Sequence, residues 1–199
     1  MMPPHIATPV PSGPPRNLVW TVPQFHYLGD LGMFEGRRAW LVDGTIVEEG
    51  PMNPPHRIAL ELCEEALRAA FGTGWRVCNQ MPLVLGQATD PEPDLALIAG
   101  SPRGATAHPT TAALVAEVSG SSLRYDTSVK VGVYAAGGIA EYWVVDVNGR
   151  QLFVFRDPRP DAAQPHGHGY ATQLTFGPND TVSPLAAPSA SILVSDLLP

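Results

Sequence analysis

Between residues 56 and 71 the chain places Ile58, Leu62, Ala66, Leu67, Ala70 and Phe71 on or near one helical face. Arg57, Glu61, Glu64, Glu65 and Arg68 fall largely opposite, so an amphipathic helix over 56–71 is predicted, packed on a sheet. Beyond it the pattern changes. Apolar runs over 76–85, 94–99, 113–119, 141–146 and 151–156 have the length and β-branched content of strands, and two more are predicted near 170–176 and 191–194. Asp43-Gly44 between the apolar residues of 40–47 predicts a hairpin whose turn needs positive φ, and Asn148-Gly149 predicts a second tight turn. The run 127–136 is helix-compatible, with Asp126 as its predicted N-cap and Gly137-Gly138 as its stop. This order of elements predicts an α/β (mixed α+β) core in which a mixed β-sheet is flanked by helices, with additional β-hairpins and no internal repeat.

Three polar residues break that pattern. Glu117 stands in the apolar run A-L-V-A-E-V, and an ionised carboxylate buried without a partner is very costly. It should therefore lie at the strand's open end, be hydrogen-bonded, or meet a cation. Asp94 opens another apolar strand directly after Pro93, where a turn aspartate is the ordinary alternative. Lys130 falls in the first turns of the helix over 127–136, where the macrodipole disfavours a cation. Its ordinary alternative is a solvated helical lysine. Tyr125 and Tyr134 read as packing residues with a polar tip.

The order P-D at 93–94, E-V-S at 117–119, R-Y-D at 124–126, Lys130, Tyr134 and E-Y-W-V-V-D at 141–146 resembles the large bacterial family of putative restriction endonucleases of the Uma type, assigned to the PD-(D/E)xK nuclease superfamily. W-L-V-D-G-T-I-V at 40–47 resembles that family's opening hairpin, and His56 begins a helix in the corresponding place. The likeness runs from about Val22 to the C-terminus. It implies a restriction-endonuclease-like core and a Mg²⁺ or Mn²⁺ ion held by Asp94, Glu117 and the backbone carbonyl of Val118, with Lys130 orienting a water nucleophile or stabilising the phosphorane. Hard cations do take carboxylate and carbonyl oxygens, completed by water and substrate phosphate. The sequence departs from the superfamily pattern at Ser119, where a lysine two residues after the acid is expected, so Lys130 reads as a migrated lysine. It also departs at Gly120. Glu49 or Glu61 is a candidate supplementary acid, with a solvated acidic face as the alternative, and His56 is a candidate phosphate contact or local hydrogen-bonding residue.

Composition adjusts this picture in a few places. With 44% hydrophobic residues in 199, the chain can bury one core, expected over 17–199, while the proline-rich stretch 1–16 is expected to be a disordered tail. No run has the pattern of a secretory signal or a membrane span, which points to a soluble cytoplasmic protein. Cys63 and Cys78 read as reduced thiols, and H-G-H-G at 166–169 as a flexible loop rather than a metal site. Nineteen acids against twelve Lys+Arg give a formal charge of -7, whereas DNA binding draws on basic contacts to phosphate. A local basic patch from Arg57, Arg103, Arg124 and Lys130 is the expected compensation. The leading reading is an endonuclease acting on DNA as a homodimer, since cutting both strands is simplest with two copies. The alternatives are a catalytically inactive nuclease-fold binding or assembly module, and a hydrolase of other phosphate esters.

Overall fold

The computed structural model describes residues 14–50 and 52–199, so most of the expected tail lies outside the described residues. A helix α1 (Val22–Asp30) precedes the hairpin β1 (Arg38–Val42) and β2 (Thr45–Glu49). Then come α2 (Pro54–Phe71), β3 (Trp75–Asn79), β4 (Leu95–Ala99), β5 (Leu114–Ser119), a single turn α3 (Leu123–Asp126) and α4 (Val129–Ala136). The chain continues through β6 (Glu141–Asp146), β7 (Gln151–Pro160), β8 (His168–Phe176), β9 (Thr181–Val182) and β10 (Ile192–Leu193). Strands β3 to β8 form a six-stranded sheet in chain order, with β5 and β6 parallel and the other neighbours antiparallel. The crossover between the parallel pair carries α3 and α4, as a parallel connection requires.

Strand alternation sorts the core into two faces. Leu95, Leu97, Leu114, Ala116, Val118, Trp143 and Val145 pack with Leu60, Cys63 and Leu67 of α2. Ala96, Ile98, Val115, Tyr142 and Val144 pack with Val131 and Tyr134 of α4. Glu117 and Ser119 share the parity of Val115 and so face α4. Strands β9 and β10 and the last residues close the α2 side, while α1 and the β1–β2 hairpin build a smaller cluster around Leu41, which bridges to Asp90. Helix α4 is held close from outside, because a Cβ on Gly132 would run into the Pro165 carbonyl.

Several local expectations change. The strand predicted over 76–85 stops at Asn79, because Gln80 has φ 48° and Pro82 brings no N–H for a ladder. Helix α2 starts two residues before His56, with Asn53 as N-cap accepting the His56 N–H at 3.0 Å. Asp126 does not cap α4. It ends α3, is buried, and Ser128 stands at the N-cap without a capping side-chain bond. Gly137 is right-handed and Gly138 takes the positive φ. Asp43 and Gly44 adopt positive φ as expected, whereas after β6 the left-handed residue is Arg150, not Gly149, and the loop is longer than a two-residue turn. Helix α1 was not anticipated, although Thr21 and Gln24 form a capping box that was readable.

Candidate active site

The β4–β5 ladder ends at Leu95 opposite Ala116. The next pair in that register is Asp94 with Glu117. Two acids are thereby delivered to the same sheet end by strand pairing alone. The Val118 N–H donates to Asp94 Oδ2 at 2.9 Å and the Asp94 N–H to Glu117 Oε2 at 3.4 Å, so each carboxylate is tied to the main chain of the other's strand end. From α4, Tyr134 donates its hydroxyl to Glu117 Oε1 at 2.5 Å, and Lys130 Nζ lies 3.1 Å from Glu117 Oε2. The same ammonium is 2.9 Å from Glu49 Oε1 and 3.2 Å from Asp126 Oδ1, and 5.6 Å from the centre of the Trp40 ring.

Around this centre is a cleft of about 120 Å³, lined by Arg38, Glu49, Asn53, His56, Asp94, Glu117, Val118, Asp126 and Lys130 among others. His56 Nε2 is 3.4 Å from Asp94 Oδ2, Gln80 donates to Asp94 Oδ1 at 3.3 Å, and Arg38 Nη2 lies 3.4 Å from Glu49 and 3.8 Å from Asp94. Of the supplementary acids, Glu49 is present. Glu61 is not, being paired with Arg57 at 2.7 Å on the exposed face of α2. The expected basic patch does not form as drawn: Arg57, Arg103 and Arg124 do not line the cleft, and Arg38 does. The H-G-H-G stretch is no free loop. His166 closes on Asp43 at 2.5 Å within a 3-10 turn that leads into β8. Both cysteines are free thiols, as expected.

Burial and charge set the protonation states. For Asp94, burial alone would raise the pKa, but the His56 contact, the Val118 N–H and the Lys130 charge outweigh it and hold the carboxyl below its usual range. Glu117 goes the other way: burial, helped by the charges of Asp94, Asp126 and Glu49, pushes it up to about 8 against the pull of Lys130. Lys130 would be lowered by burial, yet Glu117, Asp126 and Glu49 raise it well above its ordinary value. It stays an ammonium. Tyr134 is raised as well, first by burial and then by Glu117, and keeps its proton.

The donor set suits a hard cation, being the carboxylate oxygens of Asp94 and Glu117 with an adjacent strand carbonyl. Among the described residues no three His, Cys, Asp or Glu side chains gather as a ready metal cage. Such an ion would draw the rest of its shell from water, backbone and phosphate, as Mg²⁺ commonly does.

Sequence reasoning reached Asp94, Glu117, Lys130 and Glu49, and passed over Arg38, Gln80 and the inward role of Asp126. One further signal was in plain sight. Lys130 is the sole lysine of the chain, every other Lys/Arg cation being arginine.

A six-stranded mixed sheet between helices, with acids paired across its central strands and a lysine from the crossover helix, defines a nuclease-like α+β protein. A solved structure of a putative nuclease belonging to DUF820 from Anabaena variabilis ATCC 29413 has this fold, at TM-score 0.70 and 16% identity, over 89% of this chain and 96% of that one. The chain belongs to the Uma2 family, described as putative restriction endonucleases, whose sequence model matches residues 22–195. No curated protein matches it. No helix among the described residues is long and apolar enough to cross a membrane.

Proposed function

We propose that this chain is a Mg²⁺- or Mn²⁺-dependent endonuclease that hydrolyses phosphodiester bonds in DNA, with Asp94, Glu117 and the Val118 carbonyl as the cation's protein ligands. The observation that carries this reading is the convergence of Asp94, Glu117 and Lys130 in one cleft, from a strand start, a strand and a helix, in a chain of a nuclease family. When bound there, a hard divalent cation supplies Lewis acidity, lowering the pKa of a water and neutralising charge on phosphoryl oxygens. Asp94, held ionised, is the ready ligand at neutral pH. Glu117 is oriented by Tyr134 and keeps its second oxygen toward Lys130. Lys130 acts as a donor and not as a base, since its neighbours keep it protonated. From its place it holds the attacking water or stabilises charge developing on phosphorus. Arg38 and His56, which line the same cleft, are the groups we assign to a substrate phosphate.

The acidic net charge makes weak DNA affinity without a cation the expectation, because a bound ion reverses the local sign. A homodimer cutting one strand per protomer is the simplest working form. The other reading, an inactive nuclease-fold binding or assembly module, draws on the balance of the cluster, in which three carboxylates already surround the ammonium. Incubation of the wild type with supercoiled and single-stranded DNA plus Mg²⁺ or Mn²⁺ separates the two. Cleavage lost in Glu117→Ala and Lys130→Ala is the expected result. Cleavage surviving in both variants overturns the site, and tight DNA binding without cleavage under any metal favours the binding module.

A further inference from the structure

Ser119 stands two residues after Glu117 on β5, on the face that looks at α4. Its hydroxyl is not idle: it donates to Asp126 Oδ2, and the Ser122 hydroxyl donates to the same oxygen at 2.6 Å. Two donors on one oxygen fix the rotation of the Asp126 carboxylate. The other oxygen, Oδ1, is buried and has no hydrogen bond of good geometry, and it lies 3.2 Å from Lys130 Nζ. The main chain of Asp126 is fixed too, its carbonyl accepting the Tyr142 hydroxyl at 2.9 Å. Asp126 is thus an immobilised acid, 1% exposed, with one oxygen reserved for the ammonium.

Lysine has a long flexible stem and a charge without directional fork, so it needs external anchors to hold one place. Glu49 accepts the ammonium's hydrogen bond at 2.9 Å, but its side chain is 25% exposed and also meets Arg38, so it is the less rigid of the two anchors. Glu117 belongs to the reacting centre itself. Asp126 is the acid around Lys130 that is both rigidly held and left with one oxygen free for the ammonium.

We infer that Asp126, clamped by Ser119 and Ser122, is the positioning residue that aims the Lys130 ammonium at Glu117 and the scissile phosphate, so that Ser119 anchors the lysine instead of supplying one. This rests on the nuclease reading above. Without the clamp Lys130 keeps its charge and its contact with Glu49, but its ammonium swings away from the centre. Such a displacement reduces turnover and leaves substrate binding untouched.

Because the chain has one lysine, ¹⁵N-lysine labelling of the 199-residue chain yields a single side-chain ammonium resonance. In the wild type, burial slows its exchange with water enough to observe it. Asp126→Asn and Ser119→Ala shift or broaden that resonance, and Ser119→Thr, which restores a hydroxyl, returns it toward the wild-type position. In DNA cleavage with Mg²⁺, kcat falls about ten- to a hundredfold in Asp126→Asn and Ser119→Ala with KM unchanged. A resonance unmoved in both variants overturns the inference, as does a loss confined to KM. If Asp126→Asn does not fold, Ser119→Ala decides alone, since it removes one hydroxyl only. If the wild type cleaves no DNA the nuclease reading fails, and the ammonium resonance still decides whether Asp126 positions Lys130.

Discussion

Glu117 on β5 and Glu141 on β6 are both buried acids on neighbouring strands, and they are built for opposite ends. Glu141 is surrounded by donors: the Arg156 guanidinium reaches Oε1 at 2.9 and 2.6 Å, Trp143 Nε1 reaches it at 3.0 Å, and the Leu185 N–H serves Oε2 at 2.7 Å. One acid meets one cation, and the Leu185 bond ties the segment after β9 to the sheet. Around Glu117 the ratio is reversed. Glu49, Asp94 and Asp126 share its neighbourhood with two cations, Lys130 and Arg38, so four acids face two positive charges, and the group opens on a cleft. A buried acid is therefore no sign of chemistry by itself. Surplus negative charge beside an opening is the distinguishing feature, because it can be relieved by a cation from solution.

Removing each acid should break the comparison most sharply. Glu117→Gln is expected to lower metal-dependent cleavage by roughly a hundred- to a thousandfold, the scale of losing one transition-state stabiliser, with little loss of folding stability. Glu141→Ala should do the reverse. It leaves the half-buried Arg156 guanidinium without its carboxylate and the Trp143 and Leu185 N–H donors without an acceptor, lowering unfolding free energy by about 3 kcal/mol in denaturant titration, while cleavage per folded molecule stays at wild-type level. Equal effects of the two variants on both readouts would erase the distinction.

Exchanging the cations is the next test. Lys130→Met leaves Glu49, Glu117 and Asp126 facing one another, so its stability deficit should grow as pH rises and Glu117, no longer opposed by the ammonium, is forced to ionise. Urea titrations of wild type and variant at a mildly acidic and a mildly basic pH read that difference, and a deficit constant with pH contradicts it.

The wild type itself should carry a smaller signature. Glu117 is raised from 4.5 to about 8 in the folded chain, first by burial, so without metal its contribution to stability is full below about 4.5 and is lost as pH climbs through about 8. Glu117→Gln should flatten that slope. For Asp94, whose pKa is lowered, the sign is opposite, and its contribution is lost only as pH falls through its folded value. By the same linkage, cation binding should tighten as pH approaches about 8, because the ion competes with the Glu117 proton. Calorimetric titration with Mn²⁺ across that range checks it. The least effect is expected at Asn53→Ala, which removes the N-cap of α2 near His56 and should cost about 1 kcal/mol of stability.

What was legible in the sequence follows from what is local. The acid in an apolar run, the acid after proline and the lysine at a helix start each violate a short-range rule, and the three meet in one cleft. The sheet and its two covering helices were readable from periodicity for the same reason. Arg38 and Gln80 violate nothing in their own neighbourhoods; they reach Asp94 through the placement of the β1–β2 hairpin and the turn after β3, which no local pattern encodes. Asp126 misled because an aspartate before a helical run is an ordinary cap, and only the packing of α3 beneath β5 turns it inward. The strand predicted over 76–85 was overextended because its apolar content continues past Gln80, where the backbone turns away.

The single lysine has a consequence for the chemistry of the whole surface. Lys130 is 4% exposed, so the fold shields the chain's one side-chain amine from amine-directed reagents. An acylating reagent reaches the side-chain amine only when α4 and the sheet part. The rate of that one modification, followed by mass, is a built-in clock for how often the site opens, and for whether a cation or a nucleic acid keeps it shut.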